Sequence, residues 1–265
     1  MNANDIKTHN EKALKEWREE EKIALELLQI VGELRFDRSI ELVFLRHDIY
    51  DTRPSQLIQY HEFSTNYIDE PLQIANSLAI AKAIIGLNEL TQAKIDIGKL
   101  SLGWYQEQSN YADITAFVTD KLGHITEDAK DRIASKDVVL YGFGRIGRLL
   151  ARRIISTTGR GEQLRLKAIV LRPKMKDLKE ETRKRMSLLA TDSVHGNFPG
   201  HINISDTGQQ VVINGNTVQM IYASQPEDID YTKYGIEDAL VIDNTGAFRD
   251  KESLSRHLRP GVSHV

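Results

Sequence analysis

One run of ten residues constrains this chain more than any other. Val138-Val139-Leu140-Tyr141 is a short apolar stretch of strand character. It leads directly into Gly142-Phe143-Gly144-Arg145-Ile146-Gly147, which opens an apolar helical stretch at Leu149–Ser156. Glycines at a G-x-G-x-x-G spacing are common in loops, but between a strand and a helix each has a physical task. Gly142 permits the tight turn, Gly144 lets the backbone approach a pyrophosphate, and Gly147 allows close helix–strand packing. The free N–H groups of the helix start then face the anion, and the helix dipole adds about 0.3–1 kcal/mol. The context predicts a dinucleotide-binding turn. A structural turn in an unrelated α/β fold is the competing reading.

The segments that follow alternate between strand and helix. Leu166–Leu171 reads as a strand and Lys176–Leu189 as a basic helix. Val211–Ile213 and Thr217–Ile221 flank Asn214-Gly215-Asn216, a hairpin signal because Asn-Gly accepts positive φ. Ala239–Ile242 reads as a strand, Lys251–Leu258 as a helix, and Val262–Val265 as the start of another strand. This pattern predicts a Rossmann-type α/β domain, with a mainly parallel sheet covered on both faces.

The first 136 residues differ in character. They carry 16 basic and 23 acidic side chains, whereas residues 137–265 carry 19 and 15 and hold 12 of the 17 glycines. A domain boundary is expected near Ser135–Lys136, with no proline- or glycine-rich linker. Leu14, Trp17, Ala24, Leu28 and Val31 fall at helical spacing, with Asn4 or Asp5 as the expected cap and the helix end near Gly32 and Arg35–Asp37. Ser39–Arg46 reads as a second helix, although Ile40–Leu45 also suits a buried strand. Pro54 suits the first turn of a helix over Ser55–Phe63. Pro71–Leu90, Tyr111–Leu122 and Glu127–Ala134 complete an expected all-α helical domain of unknown role, residues 1–136, preceding the Rossmann domain of residues 137–265.

Composition excludes several classes. With 40% hydrophobic and 28% charged residues in 265, the chain is not a disordered polyelectrolyte, and a net charge of −3 gives no reason to expect a nucleic-acid partner. The N-terminal residues contain no apolar run of the signal-peptide kind. The most apolar stretch, Pro71–Leu90, is interrupted by Gln73, Asn76, Ser77 and Lys82, so no membrane partner is expected. The chain has no cysteine, which removes disulfides, zinc–thiolate sites and thiol catalysis from these residues. His47, Asp48, Asp51, His61 and Glu62 lack repeated ligand spacing, so they read as solvated surface positions and no metal is expected. The basic run Arg172–Arg185 reads as an exposed amphipathic helix in preference to an RNA-contacting face. Trp17, Trp104 and Tyr105 read as core or domain-contact residues.

Cofactor choice turns on the end of the second strand. An acidic residue there usually binds the ribose 2′-hydroxyl. This chain has Ile169-Val170-Leu171-Arg172-Pro173-Lys174 and no carboxylate. Losing such a charged hydrogen bond weakens NAD binding by roughly 1.5–3 kcal/mol. Arg172, with Lys174, suits a 2′-phosphate instead, so NADP is favoured over NAD; a solvated loop cation is the alternative.

Several motifs then line up in order with one family. Tyr141–Arg148, Asp192-Ser193-Val194-His195-Gly196 with Phe198 and Gly200, Val212–Gly215, Asn244-Thr245-Gly246-Ala247-Phe248, and His257-Leu258 with Gly261 resemble the phosphorylating glyceraldehyde-3-phosphate dehydrogenases. The resemblance covers residues 137–265. A helical extension such as residues 1–136 is known from a longer bacterial branch of the family. The resemblance implies that Gly142, Phe143, Gly144, Arg145, Ile146 and Gly147 surround the cofactor phosphates. It implies that Leu171 and Arg172 border the adenosine ribose, with Ala223 and Ser224 near the adenine. Asn244, Thr245 and Gly246 would lie at the nicotinamide half. His195, tempting as an acid–base group, belongs to a mainly structural segment, so no catalytic residue is assigned within the chain.

Two departures bear on cofactor choice: Tyr141 replaces the family's Asn, and the ribose-binding Asp is absent. A third concerns chemistry. The family's nucleophile is a cysteine beyond the strand that starts at Val262, and this chain has none. The expectation is therefore a fragment, truncated within the Rossmann domain. Its parent would be a cytoplasmic, homo-oligomeric enzyme of glucose metabolism that oxidises a phosphorylated aldehyde with NAD(P) to an acyl phosphate. A catalytically inert dinucleotide-binding regulatory or interaction module is the alternative.

Overall fold

Two compact units make up the chain, Met1–Arg132 and Ile133–Val265. The computed structural model describes residues 3–66, 68–87, 90–125, 134–159, 161 and 163–265.

The first unit begins with a long helix, α1 (Ala3–Arg38), which starts upstream of both expected caps. Ala24, Leu27, Val31 and Leu34 form its buried line and Leu28 is partly buried, whereas Leu14 and Trp17 are 60% and 40% exposed. Leu14 and Trp17 therefore lie outside this core. The chain then turns through Ser39, at φ +54°, into β1 (Ile40–Phe44). β1 pairs antiparallel with β2 (His47–Asp48) and parallel with β3 (Ala93–Asp96).

The helix expected over Ser39–Arg46 is thus replaced by its strand alternative, and the unit expected to be all-α also holds a three-stranded sheet. The reason is burial: Ile40, Leu42, Val43 and Phe44 are all inside, and the strand hydrogen bonds pair the backbone that this burial removes from water. The β1–β2 turn uses Leu45 and Arg46 at φ +46° and +71°, a conformation that favours glycine. Asp96 holds it, because its carboxylate accepts the N–H groups of Leu45 and Arg46 at 2.8 and 3.0 Å. The same side chain caps α4 (Ile97–Glu107) through the Lys99 N–H.

Helices α2 (Pro54–Glu62), α3 (Ile74–Gly86) and α5 (Ile114–Leu122) surround this core, with Pro54 in the first turn of α2 and Asp113 capping α5. The helix expected at Glu127–Ala134 falls, but for Ala134, outside the described residues. Trp104 packs against the core, while Tyr105 is 44% exposed.

The second unit is the α/β domain that the strand–helix alternation predicts. β4 (Lys136–Tyr141), α6 (Arg145–Thr157), β5 (Leu164–Leu171) and α7 (Leu178–Ala190) come first, followed by a short pair, β6 (Thr191–Asp192) and β7 (Gly196–Asn197). β8 (Ile202–Ile204), β9 (Gln210–Ile213) and β10 (Asn216–Tyr222) follow, then β11 (Ala239–Asp243), α8 (Lys251–Ser255) and β12 (Val262–His264). The seven-stranded sheet has the order β12-β11-β4-β5-β10-β9-β8, parallel from β12 to β10. Asn214 and Gly215, at φ +47° and +79°, close the β9–β10 hairpin as a two-residue turn.

Alternate side chains of β4 and β5 enter different cores. Val138, Leu140, Leu166, Ile169 and Leu171 meet α6 and α7 on one face, while Val139, Tyr141, Ala168 and Val170 meet Tyr231 and Ile236 on the other. The order places β4 at a reversal: the chain runs outward through β5 and β10, then returns to add β11 on the opposite side. The carboxyl ends of β4 and β11 therefore flank a topological switch point, where open α/β sheets carry their ligand crevice.

One histidine read as a surface residue is buried. His61, only 3% exposed, donates through Nδ1 to Leu57 O at 2.8 Å, so Nε2 accepts from Ser77 Oγ at 2.8 Å. Ser77 in turn meets Ser101 Oγ at 2.9 Å. Burial lowers the imidazole pKa to about 4, against a pull upward from the Leu57 carbonyl. The unfolded chain, with an ordinary histidine near 6.5, then binds the proton more readily than the folded one. This unit should be most stable above pH 6.5 and lose up to roughly 1.4 kcal/mol per pH unit from His61 as the pH falls towards 4, with no further loss from it below. Denaturant titrations from pH 7 to 4 test this, and His61→Gln should flatten the slope over that interval.

Candidate functional site

The residues singled out around the glycine motif come together along one edge of the sheet. They lie at the carboxyl ends of four neighbouring parallel strands: Gly142–Gly147 after β4, Leu171 and Arg172 at β5, Ala223 and Ser224 after β10, and Asn244–Gly246 after β11. Main-chain bonds register these ends against one another. Gly142 N–H donates to Val170 O at 2.9 Å, Ala223 N–H to Leu171 O at 3.0 Å, and Asn244 N–H to Tyr141 O at 2.7 Å.

Two glycines of the motif are demanded by space. Gly142 sits at φ +93°, and a Cβ there would lie 2.9 Å from Thr245 Cγ2 and 3.2 Å from its nitrogen. A Cβ on Gly147 would lie 2.7 Å from the Gly142 carbonyl oxygen. Gly144 differs, since nothing lies within 4 Å of the Cβ it lacks. It forms the N-cap of α6 with no side-chain cap among the described residues, so the first-turn N–H groups lack the partner that a capping residue supplies. The open space at Gly144 and the uncapped helix start fit an anionic group brought close to the backbone. Arg145 and Ile146 are exposed beside it, the latter by 62%, whereas Phe143 is 3% exposed and packs its ring in the core. Any part Phe143 takes at a phosphate is through its main chain.

Carboxylates that sequence reading had not singled out shape the surrounding loops. Asp243 Oδ1 accepts from Thr245 N–H at 2.9 Å and Thr245 Oγ1 at 2.8 Å, which fixes the residue that abuts Gly142. Its Oδ2 lies 3.1 Å from Nε2 of the fully buried His257, out of line for a hydrogen bond. Burial holds that imidazole below its usual range, against the pull of the Asp243 charge. Tyr141, at the position of the family's Asn, packs edge-on against His257 at 4.4 Å and Phe248 at 6.1 Å, and burial raises its phenol pKa.

Glu181 of α7 is 1% exposed and accepts the N–H groups of Lys174 and Met175 at 2.8 and 3.1 Å, with Arg185 at 3.2 Å. Burial pushes its carboxyl up, but those three donors outweigh it and the pKa is lowered. The loop after Arg172 is thereby held from behind, while Arg172 itself is exposed. The loop after Ser224 is held by Arg256, which bonds both carboxylate oxygens of Glu227 at 2.6 and 2.9 Å and Gln225 Oε1 at 2.8 Å.

Asp192 organises the turn that contains His195. The N–H groups of His195 and Val194, each at 3.0 Å, hold its carboxyl well below the usual carboxylate range, and His195 Nδ1 adds to them. Arg145 and Arg148 approach its second oxygen at 3.8 Å. The Asp243–Thr245 and Asp192–Val194 spacings are Asx-turn patterns, a signal the sequence carried. Glu181 left none, because its partners are main-chain atoms of another loop.

A mainly parallel sheet with a strand–glycine–helix turn at its switch point defines a Rossmann-type dinucleotide-binding domain. Residues 136–251 match the family model of the glyceraldehyde 3-phosphate dehydrogenase NAD-binding domain. A glyceraldehyde-3-phosphate dehydrogenase-like protein of Pseudomonas aeruginosa is 38% identical over 90% of this chain, a match that extends into the first unit and covers 52% of that protein. Glyceraldehyde-3-phosphate dehydrogenases of Zymomonas mobilis and Lactococcus lactis are 32% and 35% identical over 48% and 47% of the chain, covering 34% and 32% of their own lengths. The chain thus spans about half the length of the first relative and about a third of the others.

Two substitutions test the geometry. Gly147→Ala should destabilise the second unit by about 1–3 kcal/mol, since its methyl group must displace the Gly142 peptide. Glu181→Gln should cost a similar ~1–3 kcal/mol by weakening a buried, charge-assisted set of bonds. Urea denaturation of each variant reads both numbers.

Proposed function

We propose that this chain is the cofactor-binding part of a cytoplasmic, homo-oligomeric oxidoreductase of the glyceraldehyde-3-phosphate dehydrogenase type. Its reaction would be the oxidation of a phosphorylated aldehyde to an acyl phosphate in glucose metabolism. The observation that carries this reading is the glycine turn at the switch point, where Gly142 and Gly147 have no room for a side chain and Gly144 leaves an uncapped helix start open. Gly144, Arg145 and Ile146 would hold the pyrophosphate, Leu171 and Arg172 the adenosine ribose, Ala223 and Ser224 the adenine side, and Asn244, Thr245 and Gly246 the nicotinamide half. When bound, the dinucleotide supplies the hydride acceptor.

The nucleophile lies outside these residues. Thioester chemistry needs a thiolate, and the 265 residues contain no cysteine. Asp243 keeps Thr245 in place, and Glu181 presents the loop that carries Arg172. An exposed guanidinium at the end of β5, where a carboxylate would favour a free ribose, supports NADP over NAD.

Isothermal calorimetry on the chain should show NADP binding more tightly than NAD. Arg172→Asp should lower NADP affinity by about tenfold or more, the size of a lost charge-assisted bond, and leave NAD binding unchanged or improved. Equal loss for both cofactors would remove the 2′-phosphate role. No binding of either would remove the cofactor reading. The chain alone should also produce no NAD(P)H from glyceraldehyde 3-phosphate and phosphate, and turnover would contradict an external thiolate.

A further inference from the structure

One side chain joins two loops on the candidate cofactor edge. Residues 223–228 follow β10 and residues 244–248 follow β11, and these two strands are separated in the sheet by β5 and β4. Three strand spacings put the starts of the two loops about 14 Å apart. Arg256, directly after α8, touches both. Its Nε donates to Glu227 Oε1 at 2.6 Å, and its Nη2 donates to Glu227 Oε2 at 2.9 Å and to Gln225 Oε1 at 2.8 Å. The same guanidinium lies over the Phe248 ring, 5.2 Å from its centre and within cation–π range.

Each loop also has fixings of its own. Gln225 N–H donates to Asp228 Oδ2 at 3.0 Å, Asp228 N–H donates to Gln225 O at 3.2 Å, and Pro226 between them is buried. On the other side Asp243 holds Thr245, and Arg249 Nε donates to Gly246 O at 2.6 Å. Asp250 caps α8 through the Ser253 N–H at 2.8 Å. These bonds stay on their own side, whereas those of Arg256 cross.

We propose that Arg256 is a positioning residue that sets the span between the adenine side, Ala223 and Ser224, and the nicotinamide side, Asn244, Thr245 and Gly246. The proposal rests on the cofactor reading above. An exposed ion pair ordinarily contributes little, because water and salt screen it. Here two parallel bonds fix the guanidinium plane against the carboxylate, and the Phe248 ring lies beneath it. The bonds from Arg256 hold the Glu227 carboxyl down to about 2, so the pair stays charged at neutral and mildly acidic pH. Loosening the tie leaves each loop its own shape but adds the cost of bringing the two to one spacing when a ligand binds. A ligand that fills one half of the edge does not meet that cost. A dinucleotide does.

Calorimetry on the 265-residue chain tests this with two ligands: NADP or NAD, whichever binds more tightly, and its adenosine half, adenosine 2′,5′-bisphosphate or AMP, read by displacement of the dinucleotide. Arg256→Gln should weaken the dinucleotide about tenfold, the size of a lost charge-assisted bond. The adenosine half should stay within about twofold, as for a surface substitution. Glu227→Gln should do the same, and the double variant should bind no worse than the weaker single one, because both remove one tie. Urea denaturation checks that each variant remains folded. Unchanged dinucleotide affinity in Arg256→Gln, an equal loss for both ligands, or additive losses in the double variant would each overturn the inference while leaving the cofactor reading intact. A wild-type chain that binds no dinucleotide, or whose dinucleotide the adenosine half does not displace, would remove the reading on which it rests.

Discussion

Between the ends of β4 and β11 the second unit leaves no space for a side chain, and much of its architecture follows from that contact. Gly142 lies against Thr245, and Gly147 lies over the Gly142 carbonyl, so strand, turn and helix close into one unit at their shared end. Only a chain that returns to add β11 beside β4 can bring the second loop there, and the strand order records that return. The resulting edge presents main-chain N–H groups of a helix start instead of side chains. Its chemistry is accordingly that of binding and orientation.

The loops around that edge are held by one recurring device: a carboxylate that gathers backbone N–H groups. Asp243 holds Thr245, Asp192 holds Val194 and His195, and Glu181 holds Lys174 and Met175. In the first unit Asp96 does the same for a turn whose two residues both adopt positive φ without glycine. Each charge is satisfied by donors that secondary structure would leave unpaired, so the loops gain fixed shapes without regular hydrogen-bonded ladders.

How legible this was depended on whether the signal lay within one segment. The alternation of β4 and β5, the Asn214-Gly215 hairpin and the glycine turn depend on residues near one another, and each was readable. The line of candidate residues from Gly142 to Gly246 was also readable, because the family resemblance ordered them along strand ends. The first unit was harder. Ile40–Phe44 is apolar at nearly every position, which removes the period that separates a buried strand from a buried helix. Its partner β3 lies some fifty residues away, and Asp96, which supports the Leu45-Arg46 turn, lies there too. His61 looked like a surface residue because its side-chain partner Ser77, and Ser101 bonded to that serine in turn, come from later helices. Glu181 lay unremarked in a basic run, since what it holds is backbone.

The buried grip of Glu181 has an evolutionary corollary. The loop that follows β5 takes its shape from bonds to the main chain of Lys174 and Met175, and the exposed Arg172 side chain takes no part in those bonds. Shape and side-chain identity are therefore uncoupled at this corner. A lineage can exchange the residue at position 172 by single substitution, altering the charge that the strand end presents, without first having to rebuild the loop that carries it.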